Sequence, residues 1–318
     1  MILKKPKFWD LKKPNFLAYL LYPLTIFVKI NNIISSFIPK KKYTEIKTIC
    51  VGNLYIGGTG KTPTTLFLYN LLKKMNINSV TGKKFHDNQI DEQKFLKDNS
   101  NFILCSNRKE IVKKAIEMKF DMLIFDDGLQ EKWIDYDIKF ACFDSEKWIG
   151  NGHLIPAGPL REKINNLKNY HGLFLKTVNE ELNLDYIYNI TRDINPKIEI
   201  FVSKIEIRNI DKFDIDKNYI IFSGIGNPDS FRKLLLKNKF KIIEEITFPD
   251  HYDYQEIDIS KIKSKANSKN AEIITTEKDF KRIPQNLKEK IGFLEIDIKI
   301  KDENKLIQFL KTKINEIN

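Results

Sequence analysis

The sequence contains little cysteine, and none of it has the spacing that cysteine chemistry requires. Its 318 residues include only Cys50, Cys105 and Cys142, an odd number scattered along the chain. Each lies in or beside an apolar run, so we expect buried free thiols rather than metal ligands, redox pairs or disulfides. Such a chain is typical of a reducing cytoplasm.

Other absences exclude further classes of protein. The chain has no internal repeat, no low-complexity tract, and no small-residue cleavage site of a signal peptide. The uncharged part of its most apolar segment, Phe16 to Val28, has 13 residues, short of the roughly 20 that a spanning helix needs. With 42% apolar and 12% aromatic residues, global disorder is excluded.

The N-terminal segment combines apolar residues with lysines. Residues 1–47 hold ten lysines and two acidic residues, so +8 of the net charge of +12 surrounds the apolar stretch Phe16 to Ile38. Pro23 is expected to kink a helix here. Lysines beside an apolar, aromatic-rich helix are typical of a segment lying in the surface of an anionic membrane. Packing on the protein core and a true membrane span are the alternatives.

A glycine-rich stretch, VGNLYIGGTGKTP from Val51 to Pro63, follows the partly apolar run Ile46 to Cys50 and precedes the helical pattern of Thr64 to Lys74. Strand, glycine-rich turn and helix in this order predict a phosphate-binding loop. Glycines let backbone N–H groups turn towards phosphate oxygens, and the helix start adds a favourable dipole. The residues expected to bind the nucleotide are Gly57, Gly58, Thr59, Gly60, Lys61 and Thr62.

The P-loop pattern G-x-x-x-x-G-K-[ST] is incomplete, because Tyr55 stands at its first glycine position. Lys61 is expected to reach the outer phosphates, and the Thr62 hydroxyl to ligate Mg²⁺. The alternative is a glycine-rich turn with a structural role alone.

An apolar strand that ends in aspartate predicts the second half of such a site. Met122 to Phe125 is a short buried strand followed by Asp126 and Asp127. Its carboxylate would lie beside the Thr62 hydroxyl, where it holds Mg²⁺ directly or through water. Because adjacent carboxylates point differently, we expect one to serve the metal and the other a neighbouring contact. For this segment alone, an Asp-Asp-Gly turn is the simpler interpretation.

Alternating strands and helices up to about Leu175 predict an α/β fold with a P-loop NTPase-like, doubly wound, mainly parallel sheet. After Thr177 the pattern changes to that of a second, smaller α/β lobe. We therefore expect an N-terminal apolar and basic, membrane-associating segment at residues 1–47, a P-loop core at 48–195, and linker strands with the smaller lobe at 196–318.

Three polar segments are ambiguous on their own. Asn151 to Glu162 reads as an ordered loop with a charged end. His251 follows an aspartate in Phe248 to Tyr252, where a structural role is the simpler interpretation. Thr275 to Asp279 is a polar turn at a strand end.

Taken together, these segments resemble one family, the tetraacyldisaccharide 4'-kinases of lipid A biosynthesis in Gram-negative bacteria. The resemblance rests on six motifs in order across residues 51–279: VGNLYIGGTGKTP, DDGLQ, NGHLIPAGPLRE, FSGIGNP, FPDHYDY and TTEKD. The family also lacks the first P-loop glycine, so Tyr55 agrees with it. The resemblance makes residues 48–195 a kinase core, which transfers phosphoryl from ATP, with Mg²⁺, to the 4'-hydroxyl of a tetraacyl glucosamine disaccharide 1-phosphate.

The resemblance also assigns site residues. The family's catalytic aspartate and partner histidine match Asp91, as general base, and His251, which would hold that carboxylate in position. Lys61 and Arg161 are expected to meet the charge of the transferred phosphoryl group, and Arg108 matches a nucleotide-side arginine. The expected metal-side residues are Thr62, Asp126, Asp127 and Glu162.

The chain departs from the family at two places. Thr81 to Phe85, TGKKF, stands where the family has Ser-Arg-Gly-Tyr-Gly, and Ile90 replaces the glycine before the catalytic aspartate. A lysine carries a point charge without the fork of an arginine. The sequence leaves open whether Lys83 or Lys84 takes over the missing positive charge.

The expected partners are the lipid A disaccharide precursor and an anionic membrane surface, with the enzyme a monomer, peripheral on the cytoplasmic face of the bacterial inner membrane. One alternative is a membrane-associated P-loop ATPase or GTPase switch without lipid kinase activity, although the guanine-reading N-K-x-D motif is absent from its expected position. A nucleic-acid-binding ATPase rests only on the net charge. Because that charge surrounds an apolar segment, we expect no nucleic acid partner.

Overall fold

The computed structural model describes residues 5–131, 133–178 and 183–316, and the chain divides into two compact units by its internal contacts. The smaller unit contains Asn88–Glu92 and Ile205–Lys299, and the larger unit contains Pro6–Asp87, Gln93–Lys204 and the chain from Ile300 onward. The bounds expected from the sequence, at residues 47 and 195, stay a prediction.

The strands of the described residues form two sheets. In chain order they are β1 (Lys47–Gly52), β2 (Ser79–Lys84), β3 (Phe102–Cys105), β4 (Met122–Asp126), β5 (Ile138–Asp144), β6 (Gly172–Thr177), β7 (Glu199–Ile207), β8 (Asn218–Ser223), β9 (Lys241–Thr247), β10 (Glu272–Thr276), β11 (Ile291–Leu294) and β12 (Ile296–Ile300).

Helices alternate with most of these strands. In chain order they are α1 (Phe16–Leu21), α2 (Thr25–Ser36), α3 (Lys61–Lys74), α4 (Ile90–Asn99), α5 (Arg108–Glu117), α6 (Asp185–Ile194), α7 (Pro228–Lys237), α8 (Glu256–Ser268), α9 (Glu277–Arg282) and α10 (Glu303–Glu316).

The larger unit is built on an eight-stranded sheet in the order β12-β7-β6-β5-β1-β4-β2-β3. The pairs from β3 across to β7 are parallel. Parallel strands covered on both faces are apolar throughout, and all five residues of β4, MLIFD, are buried. β1 and β4 are neighbours, so the loop after β1 and the aspartates at the end of β4 lie at the same edge of the sheet.

The smaller unit has a four-stranded parallel sheet in the order β11-β10-β8-β9. Its central strand β8 carries Tyr219 to Phe222, all buried, with α7 and α8 supplying apolar side chains to its two core clusters. The α/β fold with a mainly parallel sheet and a second α/β lobe is therefore confirmed. Helix α4, with the polar sequence IDEQKFLKDN, was not predicted from the sequence.

The N-terminal segment forms α1 and α2, joined by a 3-10 turn that contains Pro23. Phe16–Ser36 spans 21 residues and contains an 18-residue window with a mean hydropathy of 1.5, long and apolar enough to cross a membrane by length and composition alone. Only a narrow stripe packs on the larger unit: Ala18 and Thr25 are buried, and Val28 contacts the core. Leu21 is half-buried, and most of the other large apolar side chains are exposed, up to 80% at Phe37.

Burial in β8 leads to a test of the smaller unit's stability. Replacing fully buried Ile220 by Ala removes three carbon atoms from the core and is expected to lower the free energy of unfolding by about 2–5 kcal/mol. Replacing Ile257, which is 62% exposed, by Ala is the matched control and should change it by less than about 0.5 kcal/mol. Equal losses in urea unfolding would contradict this account of the core.

Candidate active site

The loop between β1 and α3 has the backbone of an anion cradle. Gly57 and Gly60 have φ values of +127° and +86°, which only glycine adopts without strain, and Gly60 caps the start of α3. The Thr59 N–H donates to the Gly57 carbonyl at 2.9 Å, and Asn53 Nδ2 donates to Thr59 Oγ1 at 3.0 Å. The 14-residue helix therefore begins at a tightly held turn whose N–H groups attract phosphate.

Tyr55 explains why the loop works without its first glycine. Its ring is 2% exposed, belongs to the core cluster of the larger unit, and its hydroxyl hydrogen-bonds Asp10. Burial and the Asp10 carboxylate raise the pKa of this phenol far above its usual value, so it stays protonated and donates. The side chain points into the protein, so a Cβ at this position leaves the loop open.

Thr62 and Asp126 meet beneath the loop. Thr62 Oγ1 donates to Asp126 Oδ2 at 3.0 Å, and Thr65 Oγ1 donates to Asp126 Oδ1 at 3.3 Å. Asp126 Oδ2 also lies 2.6 Å from the ammonium nitrogen of Lys83. The sequence had left Lys83 and Lys84 equivalent, and the structure distinguishes them: Lys83 is 1% exposed and pairs with the strand-end aspartate.

Asp127 turns away from Asp126, as expected for adjacent carboxylates. Its φ of +57° is in the left-handed region, and its N–H donates to the Val51 carbonyl at 2.8 Å. Its carboxylate lies 3.9 Å from Lys61 Nζ and 3.3 Å from Arg161 Nη1. Asp127 thus holds two cations at the mouth of the loop.

Arg161 and Glu162 are held by an amide. Gln130 accepts from Arg161 Nη1 at 3.1 Å through its carbonyl oxygen and donates to Glu162 Oε1 at 3.0 Å through its amino group. Arg108 donates to the Asp127 carbonyl oxygen at 2.5 Å and pairs with Glu131 at 3.1 Å. The predicted Arg161, Glu162 and Arg108 therefore surround the aspartate turn.

These oxygen atoms fit Mg²⁺. Its protein ligands are typically one or two hydroxyl or carboxylate oxygens, with phosphate and water oxygens completing an octahedron. The buried Thr62 hydroxyl and Asp126 carboxylate, 3.0 Å apart below an anion-binding loop, supply such a pair. Among the described residues, no three His, Cys, Asp or Glu side chains form a metal cluster of their own, so the phosphates would have to complete the shell.

A second cluster lies within the smaller unit, around Asp91 at the start of α4. His251 Nδ1 lies 3.2 Å from Asp91 Oδ1, and Arg282 Nη2 lies 2.6 Å from Asp91 Oδ2. Burial alone would raise the pKa of Asp91, but the hydrogen bond from His251 and the charges of Lys278 and Arg282 outweigh it and hold the pKa well below its usual value. His251 has a φ of +58°, a conformation that costs about 1 kcal/mol.

Arg282 was not predicted from the sequence, yet it connects the cluster. Its Nη1 donates to the Gly224 carbonyl at 2.9 Å and pairs with Asp279 at 3.2 Å. Asp279, fully buried, accepts from the Gly224 N–H at 3.0 Å and from the Tyr254 hydroxyl at 2.9 Å. FSGIGNP, FPDHYDY and TTEKD thus supply one network that supports Asp91. The sequence feature that could have predicted a role for Arg282 is its i, i+3 spacing from Asp279 on a helix.

The chain is similar to known proteins in sequence and in fold. The sequence pattern that describes tetraacyldisaccharide-1-P 4'-kinase matches residues 17–315. A tetraacyldisaccharide 4'-kinase of Pelagibacter ubique is 48% identical over 320 residues, covering all of both chains, and one of Rickettsia conorii is 34% identical, covering 93% of this chain and 94% of the relative. The crystal structure of LpxK from Aquifex aeolicus in complex with ATP has a TM-score of 0.67 at 22% identity, covering 94% of this chain and 99% of that one, which shows a shared fold.

The position of Arg282 leads to a test. Replacing Arg282 by Met removes a positive charge 2.6 Å from Asp91, so the pKa of Asp91 should rise and activity should be lost at a higher pH on the acid side. Lys281→Met, one residue earlier and paired with Glu277, should leave the pH profile unchanged. The measurement is kcat against pH, and an unmoved acid limb in Arg282→Met would remove Arg282 from this role.

Proposed function

The chain belongs to the tetraacyldisaccharide-1-P 4'-kinase family, and from this premise we propose how its own residues transfer a phosphoryl group from ATP to the 4'-hydroxyl of a tetraacyl glucosamine disaccharide 1-phosphate. The resemblance found in the sequence is confirmed, and the chain is a lipid A 4'-kinase that uses ATP and Mg²⁺. One observation carries the assignment of residues: the Thr62–Asp126 hydrogen bond beneath a glycine loop at the start of a helix.

The larger unit binds the nucleotide. Backbone N–H groups of the loop from Gly57 to Thr62, other than that of Thr59, would contact the phosphates. Lys61 and Arg161, which share Asp127 as their counter-ion, neutralise the charge that spreads over the transferred group. The Arg108 guanidinium donates to the Asp127 carbonyl and so stabilises the turn that follows β4. Mg²⁺ supplies further charge neutralisation and orients the phosphates.

Thr62 and Asp126 would hold that metal ion. The Thr62 hydroxyl donates its hydrogen bond to Asp126, so the lone pairs of its oxygen would be available to a cation. Asp127 and Glu162 contribute by holding Lys61, Arg161 and Gln130 in place. We therefore propose that Asp127 and Glu162 act near the metal ion by fixing the positions of these neighbouring side chains.

The smaller unit provides the acceptor chemistry through Asp91. As the 4'-oxygen forms its bond to the γ-phosphorus, the bond from that phosphorus to the β,γ-bridging oxygen breaks, and ADP carries away the electron pair. The hydroxyl proton passes to Asp91. A carboxylate whose pKa is held low is a weak base, which suits a loose transition state in which the base orients the hydroxyl and takes its proton late. His251 holds the carboxylate at 3.2 Å.

The alternatives named from the sequence are not favoured. A P-loop switch without lipid kinase activity has no counterpart among the relatives above, which are named as kinases. A nucleic-acid-binding ATPase would need a basic surface, whereas the lysine excess surrounds an exposed apolar helix.

A direct assay tests the mechanism. The purified protein is incubated with radiolabelled ATP, Mg²⁺ and the lipid disaccharide 1-phosphate in mixed micelles. Asp91→Asn should lower kcat by about 10²–10⁴-fold, the usual contribution of a general base, while its affinity for ADP stays unchanged. Asp98→Asn, on the exposed face of the same helix, is the matched control.

Two results would contradict the proposal. Wild-type protein that hydrolyses ATP at the same rate with and without the lipid, and labels no sugar, would favour the switch. Full activity in Asp91→Asn would leave the kinase assignment in place but remove Asp91 from the chemistry.

We also propose that the enzyme works as a monomer on the cytoplasmic surface of the inner membrane. The support is the arrangement of α1 and α2, whose contact stripe of small side chains packs inward while Phe16, Phe27 and Phe37 are 68–80% exposed. A helix with its apolar side outward gains free energy by entering a lipid surface. The acyl chains of the substrate would then stay in or near that bilayer.

Exposed side chains of this segment provide the membrane test. Replacing Leu20, Phe27 and Ile34 together by Ser removes apolar contacts of about 1.5–3 kcal/mol each when buried in lipid. Binding to vesicles of phosphatidylcholine with phosphatidylglycerol should fall by about tenfold or more, with unchanged thermal unfolding. Leu236→Ser with Ile257→Ser, at exposed positions elsewhere, should bind as wild type does. Vesicle binding unaffected by the triple variant would contradict the proposal.

A further inference from the structure

Lys83 occupies a position that the reaction, as described so far, does not use. β2 and β4 are parallel neighbours in which Gly82 pairs with Phe125, so the next residues, Lys83 and Asp126, lie side by side on the same face of the sheet. Their side chains are 2% and 0% exposed, and the ammonium nitrogen lies 2.6 Å from Asp126 Oδ2. An ammonium group is thus buried against the carboxylate that would hold the metal ion.

The pair is not explained by stability. Taking two charges out of water costs about as much as their attraction returns, and well-packed apolar side chains often stabilise a core equally well. The location of the pair gives another reason. Asp126 Oδ2 also accepts from the Thr62 hydroxyl, so the Lys83 ammonium and the threonine that would hold Mg²⁺ share one carboxylate oxygen.

A buried carboxylate near polyphosphate is unfavourable unless a cation compensates it. At separations of a few ångström, two negative charges repel each other much more strongly inside a protein than in water. Mg²⁺ removes this repulsion when it enters with the nucleotide. Before Mg²⁺ enters, Lys83 supplies a positive charge within hydrogen-bond distance of the Asp126 carboxylate. Lys84, the next residue, is half-buried, and the described residues give it no ion pair with Asp126.

We propose that Lys83 is the built-in counter-ion of Asp126, a positioning residue that keeps this carboxylate neutralised and directed at Thr62, so that a nucleotide enters the loop even without Mg²⁺. The inference rests on the proposed function, because it assumes that the loop binds ADP and ATP. Of the two lysines that the sequence left open, it gives this role to Lys83 and not to Lys84.

The test is ADP binding to the full-length protein by calorimetry, once with saturating Mg²⁺ and once with EDTA. Lys83→Met should weaken ADP binding in EDTA by about tenfold or more, and by less than about threefold with Mg²⁺, which supplies the missing charge. Lys84→Met is the matched control and should match wild type in both conditions. Lys83→Arg, which keeps the charge, should restore most of the metal-free affinity.

A double variant separates charge balance from packing. Lys83→Met with Asp126→Asn removes both charges and should bind ADP in EDTA more tightly than Lys83→Met alone, although its response to Mg²⁺ is lost. It has no unpaired buried charge, so if Lys83→Met alone does not fold, the double variant is compared with wild type and should bind ADP in EDTA with similar affinity.

Three results would overturn the inference. Lys83→Met binding ADP as wild type does in EDTA, or losing affinity equally with and without Mg²⁺, would show a role in packing alone. An equal loss in Lys84→Met would show a general effect of positive charge. Failure of wild type to bind ADP with Mg²⁺ would instead refute the proposed function, and this inference with it.

Discussion

The carboxylate of Asp126 is completely buried, and groups from two elements of the larger unit donate to it: hydroxyls of Thr62 and Thr65 from α3, and the ammonium of Lys83 from β2. A buried charge of this kind is tolerated only when each oxygen has partners. That requirement ties the start of α3, and with it the phosphate loop, to the ends of β2 and β4. The geometry needed to bind a nucleotide is therefore enforced by the energetics of one carboxylate.

The smaller unit also contains a buried carboxylate that needs a cation, that of Asp91. Here the cation is Arg282, whose planar guanidinium bonds Asp91, Asp279 and the Gly224 carbonyl at once. A lysine cannot make this set of contacts from one position. The consequence is a carboxylate that stays ionised and is fixed in direction. The general-base role proposed for Asp91 requires both properties, and its low basicity is compatible with a late proton transfer.

Much of this was predictable because it depends on local pattern. The phosphate loop, β4 ending in Asp126, and the divergence of the two aspartates follow from glycine placement and strand geometry. Helix α4 was missed because Ile90, Phe95 and Leu96 are its only large apolar residues, too few for a helical period to stand out. Which of Lys83 and Lys84 contacts Asp126 depends on the register between β2 and β4. That register cannot be read from the sequence of either strand alone. Arg282 needed the approach of three loops that are distant in sequence.

The N-terminal segment connects the proposed membrane contact to the nucleotide loop within one unit. Asn32 of α2 donates to the Arg161 carbonyl at 3.1 Å, and Asp10 accepts from Tyr55, two residues before Gly57. Trp9 adds hydrogen bonds to the loop that ends in Arg161: its indole N–H donates to the Pro156 carbonyl, and its own carbonyl accepts from the Asn151 N–H. These contacts leave little freedom between the apolar helix and the phosphate loop. On a membrane, the N-terminal segment would therefore orient the ATP-binding unit directly. Tyr55, which stands where the P-loop pattern has its first glycine, is one of the residues that make this connection.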